Sequence, residues 1–350
     1  MPAFEDLVTA YLDCRRSKRN SASAIAFERH LERNLCNLYD ELTDGDYRPG
    51  RSICFVVTRP KAREVWAADF RDRVVHHLLY NHIADRFHRA FVADSCACIP
   101  GRGTLYAAQR VERHARSVTR GWTRPVWYLK CDLANFFVAI DKRILYGQLA
   151  HRVIEPWWLA LTATILFHDP RDDVDVRTSP KLLGLVPSHK SLFNAPPDTG
   201  LPIGNLSSQF FANVHLDALD QHAKHRIKAR FYCRYVDDFV LLHESPAWLG
   251  AALQDISTFL PDRLGARLNP RKTIIQPVAR GIDFVGQVIK PWHRIPRRRT
   301  VGAALDRIEA MPGADIATRA NSYFGLLSQA PHGHKDRARV AKALRYRGCT

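Results

Sequence analysis

In RYVDDFVLL (residues 234–242) two aspartates, Asp237 and Asp238, sit between apolar runs that would otherwise make one continuous strand. The simplest backbone that accommodates them is a hairpin with both acids at its tip. Paired aspartates in an exposed turn need no partner, and such turns are common. The flanks here are of the buried type, however, and an ion in such a setting is costly unless it is paired or bound to metal. A third acid, Asp132, follows another apolar run in YLKCDLANFF (128–137). Adjacent strands presenting carboxylates at one edge would form an oxygen-rich cage suited to Mg²⁺, a hard cation with oxygen ligands.

These acids need elements to position them. VWYLKCDLANFFVAI (126–140) is rich in β-branched and aromatic residues and reads as a strand running into a turn, and FYCRYVDDFVLLHE (231–244) reads as a strand pair. Between them, LPIGNLSSQFF (201–211) carries Pro, Gly and Asn, which stop any helix until the serines. This is a loop-to-helix corner, with Ser207 or Ser208 as the expected cap. Upstream, residues 4–43 read as a pair of helices joined by the basic connector RRSKRNSAS, ICFVV as an extended segment, and RDRVVHHLLYNHIADRFHRAF and LYAAQRVERHARSV as helices separated by the turn PGRGT. Residues 169–200 hold five Pro and six Asp or Asn and read as a long loop. Downstream come a helix near 247–260, short strands at TIIQPV and IDFVGQVI, and a basic helical tail that opens with RIPRRRT.

The chain has 350 residues, 46% of them hydrophobic and 25% charged, with 52 Lys and Arg against 35 acids and a net charge of +17. That excess of positive charge points to a polyanionic partner. No stretch approaches the ~20 apolar residues of a membrane-spanning helix, and the first residues, MPAFEDLVTAYLDCRRSKRN, fit neither a secretory nor a transit segment. Nucleic acid is therefore the expected partner, and the cytoplasm the expected compartment. The cysteines (14, 36, 54, 96, 98, 131, 233, 349) include no CxxC pair and read as reduced structural thiols.

Taken together and in order, the motifs resemble those of reverse transcriptases. Asp132 with Phe137 fits motif A (D-x-x-x-x-[FY]), and Tyr235-Val236-Asp237-Asp238 fits motif C ([YF]-x-D-D). RPKAREVWAADFRDRVVHHLL resembles the fingers motif, SCACIPGRGT the following fingers loop, LNPRKT motif D and GIDFVGQVI the primer grip. The resemblance covers roughly residues 25–330. In motif B, where most such families read Q-G-x-x-x-S-P, this chain has Ile203-Gly204-Asn205-Leu206-Ser207-Ser208-Gln209, a variant similar to that of diversity-generating retroelement enzymes.

The resemblance implies an α+β right-hand polymerase fold: an N-terminal helical extension at 1–24, fingers and palm with an antiparallel sheet at 25–285, and a basic helical thumb at 286–350. It implies RNA-directed DNA synthesis with two Mg²⁺ ions, Mn²⁺ being a substitute, and Asp132 and Asp237 as bridging ligands. Asp238 has a supporting part, because consecutive residues on a tight hairpin rarely reach one ion. The Leu133 carbonyl would add an oxygen, and Lys61 and Arg63 would neutralise the incoming triphosphate, with solvated surface charge as the competing reading. Phe137 would lie under the sugar and exclude a 2′-hydroxyl, and Lys272 would protonate the leaving pyrophosphate. Gly204 would let backbone approach the nascent base pair, with Ile203 and Gln209 beside it.

The implied partners are template RNA, an RNA/DNA duplex, deoxynucleotides and a small basic accessory protein. The alternatives are a reverse transcriptase of phage defence or of a retron, and an inactive RNA-binding protein with a polymerase fold. The intact aspartates speak against the last.

Overall fold

The computed structural model describes residues 1–350 apart from 17, 19, 60, 311, 312, 349 and 350, and leaves out the side chains of 313–315 and 317–320. Two residues of the basic connector, and Cys349, thus lie outside the described residues. The chain groups into two compact units, residues 1–92, 133–219 and 259–267 in one and 93–132, 220–258 and 268–350 in the other.

The first unit opens with α1 (Phe4–Arg15), α2 (Ala22–Glu28) and α3 (Leu31–Asp44), three helices where periodicity predicts two. The pattern breaks at His30, whose non-helical backbone (φ −134°, ψ 49°) starts α3 afresh. An antiparallel pair follows, β1 (Ser52–Val57) and β2 (Arg63–Ala67), with Cys54 opposite Trp66. Asp69 caps α4 (Phe70–His88) by accepting from the Arg71 amide at 3.1 Å. Buried residues occupy every side of α4, as expected of a helix enclosed by others; Phe70 packs with Tyr11 of α1 and Phe27 of α2.

The second unit receives α5 (Thr104–Val118) and β3 (Trp127–Asp132), after which the chain returns to the first for α6 (Phe136–Ala139), α7 (Lys142–Ala150) and α8 (Pro156–Phe167). The expected long loop contains more order than its composition shows. Within it β4 (Val174–Val176) pairs in parallel with β1, and a single turn, α9 (Pro180–Leu183), follows. The buried Glu64 carboxylate pins the segment further, accepting from the Trp66 indole at 3.1 Å and the Leu192 amide at 2.8 Å.

The corner at 201–206 leads into α10 (Leu206–Gln221). Ser207 and Ser208, expected as caps, lie inside its first turn and are buried, and Asn205 stands just before the helix. The Asn205 side chain accepts from the Ala68 amide at 3.1 Å, and the Ile203 carbonyl accepts from the Trp66 amide at 2.7 Å. The corner is therefore bonded along the end of β2.

The second unit continues through a π-helical turn, His222–Arg226, into β5 (Phe231–Tyr235) and β6 (Asp238–His243). α11 (Pro246–Leu264), whose residues from 259 on are counted in the first unit, is longer than predicted and carries Pro261 inside it. β7 (Ile274–Pro277) completes an antiparallel sheet in the order β5-β6-β3-β7. One core of this unit combines Tyr128, Cys233, Val240 and Leu242 of the sheet with Ala107, Val111 and Ala115 of α5. IDFVGQVI, read as one strand, is a hairpin of β8 (Ile282–Phe284) and β9 (Gln287–Lys290). Val285 and Gly286 at its tip both have positive φ, the conformation two-residue hairpins favour.

β10 (His293–Pro296) pairs with β9, so the start of RIPRRRT is strand and not helix. The helices α12 (Arg298–Ala310), α13 (Gly313–Ser328) and α14 (His334–Tyr346) then share a core that includes Val301, Ile308, Ile316, Leu327 and Val340. The cysteines among the described residues are free, five of them buried. None of the described helices is long and apolar enough to cross a membrane.

The corner gives a direct test. Gly204 has φ +134°, and a Cβ there would stand 2.7 Å from the Trp66 carbonyl oxygen and 3.0 Å from Val65 Cγ1. Gly204→Ala is expected to destabilise the protein by about 1–3 kcal/mol, read as a lower urea midpoint. An unchanged midpoint would show that the corner yields without cost.

Candidate active site

β3 and β6 run antiparallel in a register that sets Asp132 directly opposite Asp238. Tyr235 and Asp238 close the β5–β6 hairpin, leaving Val236 and Asp237 as its two-residue turn. The sequence reading put both acids of motif C at the tip. Asp237 is there, whereas Asp238 is the first residue of a strand and faces the partner acid. Val236 has φ +54°, a conformation that is a true outlier for a β-branched residue.

The Asp132 carboxylate is almost fully buried and lies in a well-connected position. Its Oδ2 accepts from Lys272 Nζ at 2.5 Å and its Oδ1 from Asn269 Nδ2 at 3.3 Å, while its backbone carbonyl accepts from the Asn269 amide at 2.8 Å. Asn269 also caps the 3-10 turn Pro270–Lys272, accepting from the Arg271 amide at 3.2 Å. That turn delivers Lys272 to Asp132. Lys272, expected at the leaving group, is in this structure the counter-ion of a motif A acid.

Asp238 is held unusually high, with a pKa of about 6. Desolvation is the main cause. Lys130 pulls the value down, but the negative charges of Asp237 and Asp132 and a hydrogen bond to Asp132 push it up. Lys130 itself donates to the Asp283 carbonyl at 2.8 Å. Among the described residues no group of three acidic, His or Cys side chains is drawn close enough to hold a metal as it stands. The donor chemistry nevertheless fits Mg²⁺: carboxylates set opposite one another across the strand pair, with an ammonium beside Asp132.

In the first unit, Leu133 is buried and Phe136 is a core aromatic, stacked on His215 with ring centroids 6.4 Å apart. Phe137 is only half-buried, and its carbonyl accepts from the Leu201 amide at 2.7 Å. Ile203 is half-buried and Gly204 exposed; Gln209 is exposed on α10. Lys61 and Arg63 are exposed, Arg63 as the first residue of β2, the strand to whose far end Ile203 is bonded. The structure thus gathers Asp132, Asp237, Asp238 and Lys272 at one end of a sheet, and ties Ile203, next to Gly204, to the strand that begins at Arg63.

Asn269 is a site residue the sequence reading missed, although Asn-Pro is a turn-initiating signal. Arg234 and Asp220 were missed as well. The visible signal was a charged residue inside the apolar strand FYCRY.

An antiparallel sheet with carboxylates at the end of its central strands is the palm of a right-hand polymerase, and the whole is an α+β fold of that kind. The chain belongs to the reverse transcriptase (RNA-dependent DNA polymerase) family, whose model matches residues 59–289. It is 25% identical over 324 residues to Protein YkfC of Escherichia coli K12, covering 83% of this chain and 78% of that protein. It is 20% identical over 229 residues to the putative COX1/OXI3 intron 2 protein of Saccharomyces cerevisiae, covering 49% of this chain and 25% of that protein.

Among solved structures it is similar to apo telomerase of Candida tropicalis, with a TM-score of 0.47, 13% identity, and coverage of 69% of this chain and 54% of that one. Telomerase of Candida albicans in complex with a telomeric RNA fragment gives a TM-score of 0.47 and 11% identity, covering 89% and 59%. The chain therefore spans a quarter of the yeast intron protein and little more than half of each telomerase chain.

The carboxylate pair sets a pH dependence. A folded-state pKa of about 6 lies above the ordinary carboxylate range, so folding takes up a proton at Asp238. Stability from this group is full below the unfolded pKa and is lost as pH rises through the folded one. Asp238→Asn, uncharged throughout, is expected to stabilise the metal-free protein at pH 7–8 by about 2 kcal/mol, with the difference gone below about pH 4. Thermal melts across that range in a chelator measure it, and a variant no more stable than the parent at pH 8 would contradict the stated cause.

Proposed function

We propose that this enzyme copies a template RNA into cDNA, with Asp132, Asp237 and Asp238 as the ligands of two Mg²⁺ ions, for which Mn²⁺ can substitute. The observation that carries this reading is the register that opposes Asp132 to Asp238 beside the Asp237 turn. Bound Mg²⁺ would lower the pKa of the primer 3′-hydroxyl and neutralise charge on the triphosphate. Asp132 and Asp237 would hold the ions, Asp238 would support them, and the Leu133 carbonyl would add an oxygen donor. Lys272 balances the charge of Asp132 and, once freed from it, is the proton donor for pyrophosphate.

Lys61 and Arg63 take the triphosphate, Phe137 takes the sugar, and Ile203, Gly204 and Gln209 the templating base pair. Residues 25–285 serve as fingers and palm, and residues 286–350, helical from Arg298 on, as the thumb on the RNA/DNA duplex, held by phosphate contacts that position without reading sequence. The cytoplasm is the proposed compartment. Asp237→Asn is expected to abolish primer extension on RNA while folding and RNA affinity stay near those of the parent. Substantial Mg²⁺-dependent synthesis by the purified variant would remove the metal assignment.

The finer reading is a diversity-generating retroelement, in which a small basic accessory protein assists and errors fall at template adenines. Support comes from the motif B variant. Ile203 replaces the usual glutamine, and its carbonyl is engaged by Trp66, leaving an apolar side chain at the corner. An apolar wall rejects near-isosteres by only ~1–3 kcal/mol, whereas polar groups left unpaired by a mispair discriminate far better. Ile203→Gln is accordingly expected to lower misincorporation opposite adenine, tallied by sequencing cDNA made on a defined RNA with accessory protein supplied. Equal adenine error rates in the two enzymes would detach Ile203 from fidelity. The second reading is an intron-type enzyme, favoured by the likeness to a yeast intron 2 protein. A retron or phage-defence role is the remaining alternative. Near-duplicate repeats differing at adenines in the flanking DNA would separate the retroelement from both.

A further inference from the structure

Arg234 and Asp220 form an ion pair with no exposed side-chain area on either partner. Arg234 Nε donates to Asp220 Oδ1 at 2.8 Å and Nη2 to Oδ2 at 2.6 Å, and the Tyr232 hydroxyl donates to the same carboxylate at 2.6 Å. Two buried charges cost so much desolvation that apolar residues of similar volume are often as stabilising or more so. Stability alone therefore gives no reason for an arginine in the middle of this core.

The reason lies two residues further on. Arg234 Nη1 donates to the Val236 carbonyl at 3.1 Å, and Nη2 donates to Ser95 Oγ at 2.8 Å, so the plane of the guanidinium is fixed from both sides. The Arg234 backbone is bracketed as well, its amide donating to the Asp94 carbonyl at 2.9 Å and its carbonyl accepting from the Cys96 amide at 3.0 Å. Asp94 is anchored in turn by Arg110 Nε at 2.7 Å, His114 Nε2 at 2.8 Å and Lys224 Nζ at 2.5 Å. The carbonyl that Arg234 holds belongs to the peptide joining Val236 to Asp237. Val236 is the residue with the strained positive φ, a conformation that persists only where the surroundings over-determine it.

We propose that Arg234, locked in place by Asp220, is a positioning residue that clamps the Val236–Asp237 peptide and so preorganises the Asp237 carboxylate for a divalent cation. The inference rests on the reading of Asp237 as a metal ligand. It assigns a purpose to a buried charge that the carboxylate site does not itself use. A lysine at 234 could pair with Asp220 but has no planar fork with which to hold the Val236 carbonyl at the same time.

Two variants test it: Arg234→Lys, which keeps the charge beside Asp220, and the apolar set Asp220→Leu, Tyr232→Phe and Arg234→Met, which leaves no buried charge unpaired. Both are compared with the parent for melting temperature, RNA–DNA duplex affinity and primer extension against Mg²⁺ concentration, and Mn²⁺ binding is followed directly by electron paramagnetic resonance. The expected result is folded protein with parental duplex affinity, a Mg²⁺ requirement raised at least about ten-fold, weaker Mn²⁺ binding, and extension partly restored at high Mg²⁺. A folded variant whose Mg²⁺ requirement stays within about two-fold of the parent overturns the proposal, since outer partners of metal ligands are worth more than that. Failure of both variants to fold overturns it too, because the pair would then serve the fold and not the turn. Asp237→Asn separates the two ideas: an inactive Asp237→Asn beside Mg²⁺-normal Arg234 variants removes only this inference, whereas an active Asp237→Asn removes the metal reading and this one with it.

Discussion

Like charges placed directly opposite one another across an antiparallel strand pair are destabilising, and the register of β3 against β6 sets Asp132 and Asp238 in that relation. Most of the surroundings of the sheet end can be understood as a response to this constraint. Burial makes the repulsion worse, because the low dielectric strengthens every uncompensated charge. The protein meets it in three ways: an Asp238 carboxyl whose raised pKa favours its neutral form, an ammonium from Lys272 on Asp132, and Lys130 acting on Asp238. Asn269 supplies neutral hydrogen bonds to both the side chain and the backbone of Asp132, which fixes the group without adding charge. Such compensation holds acids in place while leaving their oxygens exchangeable.

The turn beside them poses the opposite problem. Asp237 stands clear of the ladder, and the two-residue turn at that point places Val236 in the left-handed region. Glycine would accept that conformation readily. A valine there limits the number of backbone states the turn can visit, provided something holds its peptide, and the guanidinium of Arg234 is bonded to that peptide's carbonyl. Stiffness and strain thus come from the same residue. The first unit uses the reverse device: Gly204 supplies a positive φ and leaves out a side chain where the Trp66 carbonyl passes too close for a Cβ.

The sequence made the acids legible, because charge inside apolar runs is conspicuous, and it made the sheet strands legible through their β-branched and aromatic content. The register was not legible. Whether Asp238 belongs to the turn or to the strand depends on which residue takes the positive φ, and no period in RYVDDFVLL decides that. Nor could local pattern reveal partners far apart in the chain, such as Lys272 with Asp132 or Arg234 with Asp220. The loop at 169–200 looked unstructured because its order comes from elsewhere, through β1 pairing with β4 and through Glu64 reaching the Leu192 amide. The break at His30 carried no proline or glycine and so passed unnoticed. Ser207 and Ser208 looked like caps because serines favour that position, but both are buried within the first turn of α10.

A site built from crowded carboxylates cannot be optimal for the stability of the protein that carries it. Each compensating group here is of a kind that can let go. Asp238 gives up its proton as pH rises through about 6, and the Lys272 ammonium is half-exposed at the end of a flexible stem. By contrast, the groups that hold the backbone are sealed: Arg234 and Asp220 have no exposed area, and Asp94 is nearly buried among Arg110, Lys224 and His114. The acids at the sheet end are thus neutralised by movable partners and the ion pair behind the turn by a fixed one, so that a change of partner at the first need not loosen the second.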